Sequence, residues 1–292
     1  MIIFNSIGNP TVQTLRKIKT GSVVLVLLGI IGFNSWHLFP ETMSGIPTMH
    51  DMLFHLLLVE SAADAIINGR DFTDPWQGTM SMGFAVFHHY QHLPHLIVAL
   101  VHVFTLEALP INDLVKWTTY ILLVLFPISI YWSIRIFGFD HLTAVMGALV
   151  APIVGNDFQG FGGFGYWNYT FEGWSLYTQL WGMFILPVAL ASGYRLIRYG
   201  GGYFWPVLLL SGLLMSHLLF GYMAFLTLSV LTLVPVVRLR ISKASFSLMG
   251  AQLTRLIILV LFVCGVTSYF LILFWLDHGY FNPGVSFSRV YL

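Results

Sequence analysis

The sequence predicts an all-α polytopic membrane protein, with about seven transmembrane helices and a long first outer loop carrying interfacial helices. Three observations predict it. Hydrophobic residues make up 57% of the 292 residues and charged residues only 9%, where a soluble domain carries about 25% charge; so much apolar surface needs a bilayer as solvent. The apolar residues run continuously instead of alternating, which fits helices and not barrel strands. The acidic residues fall almost entirely between the apolar runs on one predicted side. A net charge of +1 gives no basis for nucleic-acid binding. Cys264, the single cysteine, has no partner for an intrachain disulfide.

Residues 1–19, with Arg16, Lys17 and Lys19, read as a cytoplasmic N-terminal tail, and 20–292 as a single transmembrane helical domain. The first span covers 20–39. It exceeds a signal-peptide core, and no small-residue cleavage pattern follows in Phe39-Pro40-Glu41-Thr42, so it reads as retained. The first outer loop runs over 40–115. Later spans are expected at 116–135, 141–156, 174–194, 203–219, 220–237 and 255–276, with a second outer loop over 156–173. The run 203–237 would be about 52 Å long as one helix, against a hydrocarbon core of about 30 Å. A break is therefore expected near Ser216-His217 or at Gly221. The run 141–156 is short and carries Pro152, so an incomplete crossing is expected there.

The segment Leu93–Leu109 is apolar but contains Pro94, His95, His102 and Glu107. The distribution of positive charge decides its place. If the segment stays outside, all of the 13 Lys and Arg residues except Arg70, Lys116 and Arg289 fall inside. It is therefore expected to be an interfacial or re-entrant helix, with the N-terminus of the chain in the cytoplasm.

Within the first outer loop, 49–67 reads as an amphipathic helix. Asp51 and His55 are four apart and share a face; Glu60 and Asp64 share a roughly opposite one. An Asp-x-x-x-His pair at a membrane surface fits a divalent cation, or a base and its partner. Thr48-x-x-Asp51 equally fits a capping box, and both readings stand. Arg70 is an outer cation suited to a phosphate or to a headgroup. His88, His92 and His95 have the spacing of ligands on one helical face, but Pro94 starts a new helix there and no cysteine or close acid completes a set. No metal ligands are assigned. In the second outer loop, Phe158–Tyr169 mixes glycines with aromatics, Trp167 among them, which stack on sugars or anchor at the interface. Glu172 sits just before a span, where an unpaired carboxylate is costly. His217, near the outer end of the fifth span, faces the same region or bonds a neighbouring helix.

His50-Asp51-Met52-Leu53-Phe54-His55, then Asn68-Gly69, then Gly83-Phe84-Ala85-Val86-Phe87-His88-His89-Tyr90 leading into Leu93-Pro94-His95-Leu96, form one set of motifs. Phe171-Glu172-Gly173-Trp174, Ser216-His217 and Phe274-Trp275-Leu276 form another. Together they resemble the GT-C-type membrane glycosyltransferases of bacteria and archaea, nearest the 6-pyruvoyl-tetrahydropterin-synthase-related integral membrane proteins. The resemblance implies a GT-C fold in a bacterial or archaeal cytoplasmic membrane, taking sugar from a polyprenyl-phosphate carrier at the outer face.

Asp51 matches the catalytic aspartate of that family's first outer loop, and Glu172, or else Asp157, the acidic position of its second. On this reading His55, Arg70 and Lys116 stabilise the phosphate, Trp167 stacks on sugar, and a divalent cation is a candidate cofactor. The bilayer and the polyprenyl-phosphate lipid are partners. Members commonly carry Tyr-Pro-Pro where this chain reads Tyr90-Gln91-His92-Leu93-Pro94. They also continue through further helices, so the resemblance implies that this chain is a fragment or a reduced member, truncated to the conserved seven-helix module. The competing expectation is a non-catalytic helical scaffold that joins other membrane subunits in a larger complex.

Overall fold

In the computed structural model the described residues are 10–43, 45, 51–78, 83–88, 90–153, 169–170, 174–238 and 243–276. They form ten α-helices and one two-stranded hairpin: α1 (Pro10–Leu38), α2 (Met52–Ile67), β1 (Trp76–Gln77), β2 (Phe84–Ala85), α3 (Leu93–Phe104), α4 (Ile111–Phe137), α5 (His141–Val150), α6 (Tyr177–Tyr199), α7 (Phe204–Ser216), α8 (Leu218–Arg238), α9 (Lys243–Val266) and α10 (Ser268–Leu276). Four helical stretches are long and apolar enough to cross a membrane: Gly21–Thr42, Ile111–Phe137, Tyr177–Tyr199 and Phe246–Leu276. The chain is an all-α integral membrane protein.

Side-chain contacts fix the direction of each helix. Tyr120 Oη donates to the Ser35 carbonyl at 2.9 Å, while Ile30 packs with Tyr131 further along α4, so α1 and α4 run antiparallel. Tyr177 Oη meets Thr118 Oγ1 at 3.4 Å, Ser129 Oγ donates to the Phe184 carbonyl at 2.6 Å, and Phe137 stacks near Tyr194. Those three contacts advance together, so α4 and α6 are parallel. The short α5 returns along α4, started by an Asp140 cap on the Thr143 amide at 2.8 Å. The left-handed Gly138 that closes α4 lets the chain reverse there.

The break expected in 203–237 falls at His217, whose backbone is extended between α7 and α8. It makes a helical hairpin, not a kink. A Cβ on Gly221 would stand 2.9 Å from Leu214 Cα, seven residues back, where a straight helix would separate them by about 10 Å. Along α6, Gly182 faces His217 and Phe220, whereas Gly193 faces Leu210 and Leu228. Thus α7 runs against α6 and α8 runs with it, with the hairpin turn beside the first turns of α6. Arg255 Nη1 donates to the Ile197 carbonyl at 3.0 Å, and Tyr269 Oη approaches Met215 Sδ at 3.3 Å, so α9 and α10 lead back to the hairpin end.

Two sequence expectations change in detail. Arg255 was expected at the mouth of a span, but it lies within α9 and covers the last carbonyls of α6. The expected span 141–156 contains a described helix of 10 residues, α5, about 15 Å long.

The bundle is polar in its charge. Arg135, Arg195, Arg198 and Arg255 sit toward the end where α4 and α6 finish. Asp51, Asp74 and Asp113 belong to the opposite end, which α2, the hairpin and α3 cover. Buried Met52, Leu58, Val59, Ala62, Val98 and Ala99 join α2 to α3, and Val115 and Tyr177 join both to the bundle. The α2 helix ends in a Schellman turn: Arg70 N donates to the Ala65 carbonyl and Gly69 N to the Ile66 carbonyl, with Gly69 at φ +62°.

Candidate functional site

The α2–α3 layer contributes a histidine-rich cluster where it meets the start of α6. His55 Nδ1 and His95 Nε2 are 3.0 Å apart, and both rings are almost fully covered, at 3% and 0% exposure. Tyr177, in the first turn of α6, has its ring centroid 5.6 Å from His55 and 6.0 Å from His95. Tyr90 lies over the same pair, 6.4 Å from His55 and 6.0 Å from His95, and packs edge-on to Phe54 at 5.7 Å. Burial pushes the His55 imidazole down to about 4. Burial also lowers His95 well below the ordinary imidazole value, and the neighbouring His55 and His92 rings act the same way. The pair is therefore neutral near pH 7, one ring donating and the other accepting.

Asp51 occupies the N-cap position of α2 and is exposed. Its side chain makes no capping hydrogen bond, and Thr48 lies outside the described residues. The carboxylate is thus not consumed by the helix start. Burial raises the Tyr90 phenol above its ordinary value; hydrogen bonding from Thr178 opposes that, and the charge on Asp51 adds to it. Gln91 Nε2 donates to Thr178 Oγ1 at 3.3 Å, a second link between this layer and α6.

The other candidates are dispersed. Arg70 forms an exposed ion pair with Asp64 near the far end of α2, about 20 Å of helix from Asp51. Lys116, in the first turns of α4, pairs with Asp113 at 3.3 Å. His55 is in the cluster as a buried neutral ring and not as an exposed cation. Glu172, Trp167 and Asp157 lie outside the described residues. His217 sits at the α7–α8 turn, where its Nδ1 accepts from the Phe220 amide at 3.3 Å.

The histidine run does not form one helical face, because α3 begins at Leu93 and leaves His88 in the turn before it. Where the sequence offered no nearby acid, the structure places one: His88 Nδ1 is 2.6 Å from Asp74 Oδ2. The β1–β2 hairpin brings them together, pairing Trp76 with Ala85 and the Val86 amide with the Pro75 carbonyl. Strands of two residues carry no periodicity to read. His92 bonds Tyr269 on α10 and so ties the layer to the last helix. Among the described residues no three His, Cys, Asp or Glu side chains converge as metal ligands, so Asp51 and His55 do not form a cation site with a third ligand there.

The fold and this cluster define an integral α-helical membrane protein with a buried histidine–tyrosine cluster at the end of the bundle opposite its arginines. No family model, no curated protein and no solved structure matches the chain.

Proposed function

We propose that this protein is a GT-C-like membrane glycosyltransferase, or a reduced member of that fold, transferring sugar from a polyprenyl-phosphate donor at the outer face. The observation that carries the reading is the meeting of the Asp51 end of α2 with the first turn of α6, made through His55, Tyr90 and Tyr177. It brings an uncommitted carboxylate to the helix that the Glu172 segment feeds. The alternating directions of α1, α4, α5, α6, α7, α8 and α9–α10 support seven crossings, with α2 and α3 lying over the outer end. The arginines at the other end support an inner N-terminus in a bacterial or archaeal cytoplasmic membrane.

In this mechanism Asp51 accepts the proton of an acceptor hydroxyl. The freed oxygen forms a bond to the anomeric carbon of the donor sugar, the carbon–oxygen bond to phosphate breaks, and the polyprenyl phosphate leaves with that electron pair. Lys116 is the proposed phosphate partner at this end, since Val115 is in the α2–α3 core and Thr118 touches Tyr177. Glu172 orients the acceptor and Trp167 stacks on the sugar. The scaffold alternative draws on the exposed apolar sides of α1 and α9, such as Leu25, Trp36, Ile257 and Leu261; lipid covers such faces equally well.

The deciding experiment is sugar transfer from a polyprenyl-phosphate donor by the purified protein, with its oligomeric state measured in the same preparation. Asp51→Asn is expected to slow transfer by about 10²–10⁴-fold, the usual contribution of a general base. Undiminished transfer in that variant removes Asp51 as the base. No transfer by the parent protein, together with stable association into a larger assembly, favours the scaffold.

A further inference from the structure

We infer that Tyr90, Gln91 and Thr178 form, beside Asp51, a subsite for the hydroxyl groups of an uncharged sugar. The inference deepens the transferase reading and rests on it for the reaction, but the binding chemistry stands on its own geometry. Phe54 and His55 follow Asp51 by three and four residues, so they occupy its helical face one turn further on. Tyr90 packs on both, which seats its ring directly beside the carboxylate end of α2. The next residue, Gln91, spans to Thr178 at 3.3 Å in the first turn of α6. A carboxylate, a phenol and a primary amide thus stand along one short arc, and the buried Thr178 hydroxyl on α6 holds the amide in place.

The chemistry of the set selects the ligand. Asp51 only accepts, whereas Tyr90 and Gln91 each both donate and accept, and Thr178 anchors them from α6. Alternating donors and acceptors match the vicinal hydroxyls of a pyranose. None of the four carries positive charge, and Asp51 repels an anion, so phosphate is not the group this arc recognises. The base beneath it is fixed: Tyr90 rests on the paired His55 and His95, and Thr178 itself is only 5% exposed. Fixed polar groups lose little freedom when a ligand arrives.

The test uses the full chain in phosphatidylcholine nanodiscs. Methyl α-D-mannopyranoside and methyl β-D-glucopyranoside are the probes, titrated by saturation-transfer NMR, with inorganic phosphate, followed by the broadening of its phosphorus-31 resonance, as the anionic comparison. The parent protein is expected to bind at least one hexoside. Tyr90→Phe and Gln91→Leu are each expected to weaken it about fivefold, the effect of one neutral hydrogen bond, while Glu60→Gln binds as the parent does. Should either variant lose the parent's melting temperature, Thr178→Val takes its place.

Absence of hexoside binding by the parent overturns the subsite, as does equal binding by the variants or preferential binding of phosphate that Tyr90→Phe disturbs. Hexoside binding without any sugar transfer keeps the subsite and ends the transferase reading. Transfer with unchanged KM in both variants does the reverse.

Discussion

His55 Nδ1 and His95 Nε2 share one hydrogen bond of 3.0 Å inside an otherwise aromatic and aliphatic layer, and they join α2 to α3 where both meet α6. Each ring is the partner that makes the other tolerable there. Replacing His95 by Leu leaves a buried imidazole nitrogen unpaired, at a cost of about 1–3 kcal/mol. The double variant His55→Leu/His95→Leu is expected to recover part of that loss, because it removes both polar groups. Denaturant or thermal unfolding in detergent checks this as a double-mutant cycle. Additive losses would show that the two rings do not interact.

The same pair sets a dependence on pH. Folded His55 takes its proton only at about 4, whereas the unfolded ring does so near the ordinary imidazole value of 6.5. Between those values the unfolded chain holds more protons, so stability increases with pH, by up to about 1.4 kcal/mol per unit for the group. His95, lowered in the same direction, steepens the trend. The contribution is complete above about pH 6.5 and declines as pH falls toward 4. Melting temperature followed from pH 7 to 4.5 should drop in the parent and drop less in the doubly substituted variant. Parallel curves for the two proteins would exclude the histidines as its source.

The α7–α8 hairpin depends on a close backbone approach. At Gly221 an added methyl meets Leu214 Cα at 2.9 Å, and backbone cannot rotate away as a side chain can. Gly221→Ala is therefore expected to cost about 1–3 kcal/mol. At Gly250, in α9, nothing lies within 4 Å, so Gly250→Ala should stabilise by about 0.5–1 kcal/mol through helix propensity. Unfolding measurements that rank these two substitutions the other way would contradict the hairpin geometry.

Ser175 precedes α6 with φ +55° and is fully buried. Its carbonyl accepts from the Tyr177 amide at 2.7 Å, closing an inverse γ-turn about Leu176 that aims Tyr177 at the histidines. A β-branched residue suits that left-handed position poorly. Ser175→Val is expected to be about 1–2 kcal/mol less stable than Ser175→Gly, with weakened Tyr177 packing visible in near-ultraviolet circular dichroism. Equal stability of the two variants would mean that the strain is absent.

Much of the framework was readable without coordinates. Continuous apolar runs forced helices, because lipid leaves backbone groups no other partner. The length of 203–237 forced a break, and it falls at His217, one of the places expected. Asn68-Gly69 stops α2 through local chemistry alone, since only the left-handed glycine lets Arg70 N reach back to Ala65. Spacing also joined Asp51 to His55, because helical geometry carries neighbours four residues apart onto one face.

What spacing could not supply is burial and long-range partnership. His55 shares a face with Asp51, yet its fate is decided by His95, which lies 40 residues away, and by Tyr177 on another helix. Those contacts exclude water from the ring and make it neutral, against the cationic role its position had invited. Arg70 and Lys116 instead met acids close in sequence, Asp64 across the turn that ends α2 and Asp113 one turn back on α4. The residues alone announced that the apolar runs are helices and where several of them stop, for those depend on local backbone satisfaction and apolar length. Which distant polar side chains share an environment was settled by packing, because desolvation and long-range pairing arise from segments that meet after the chain has folded.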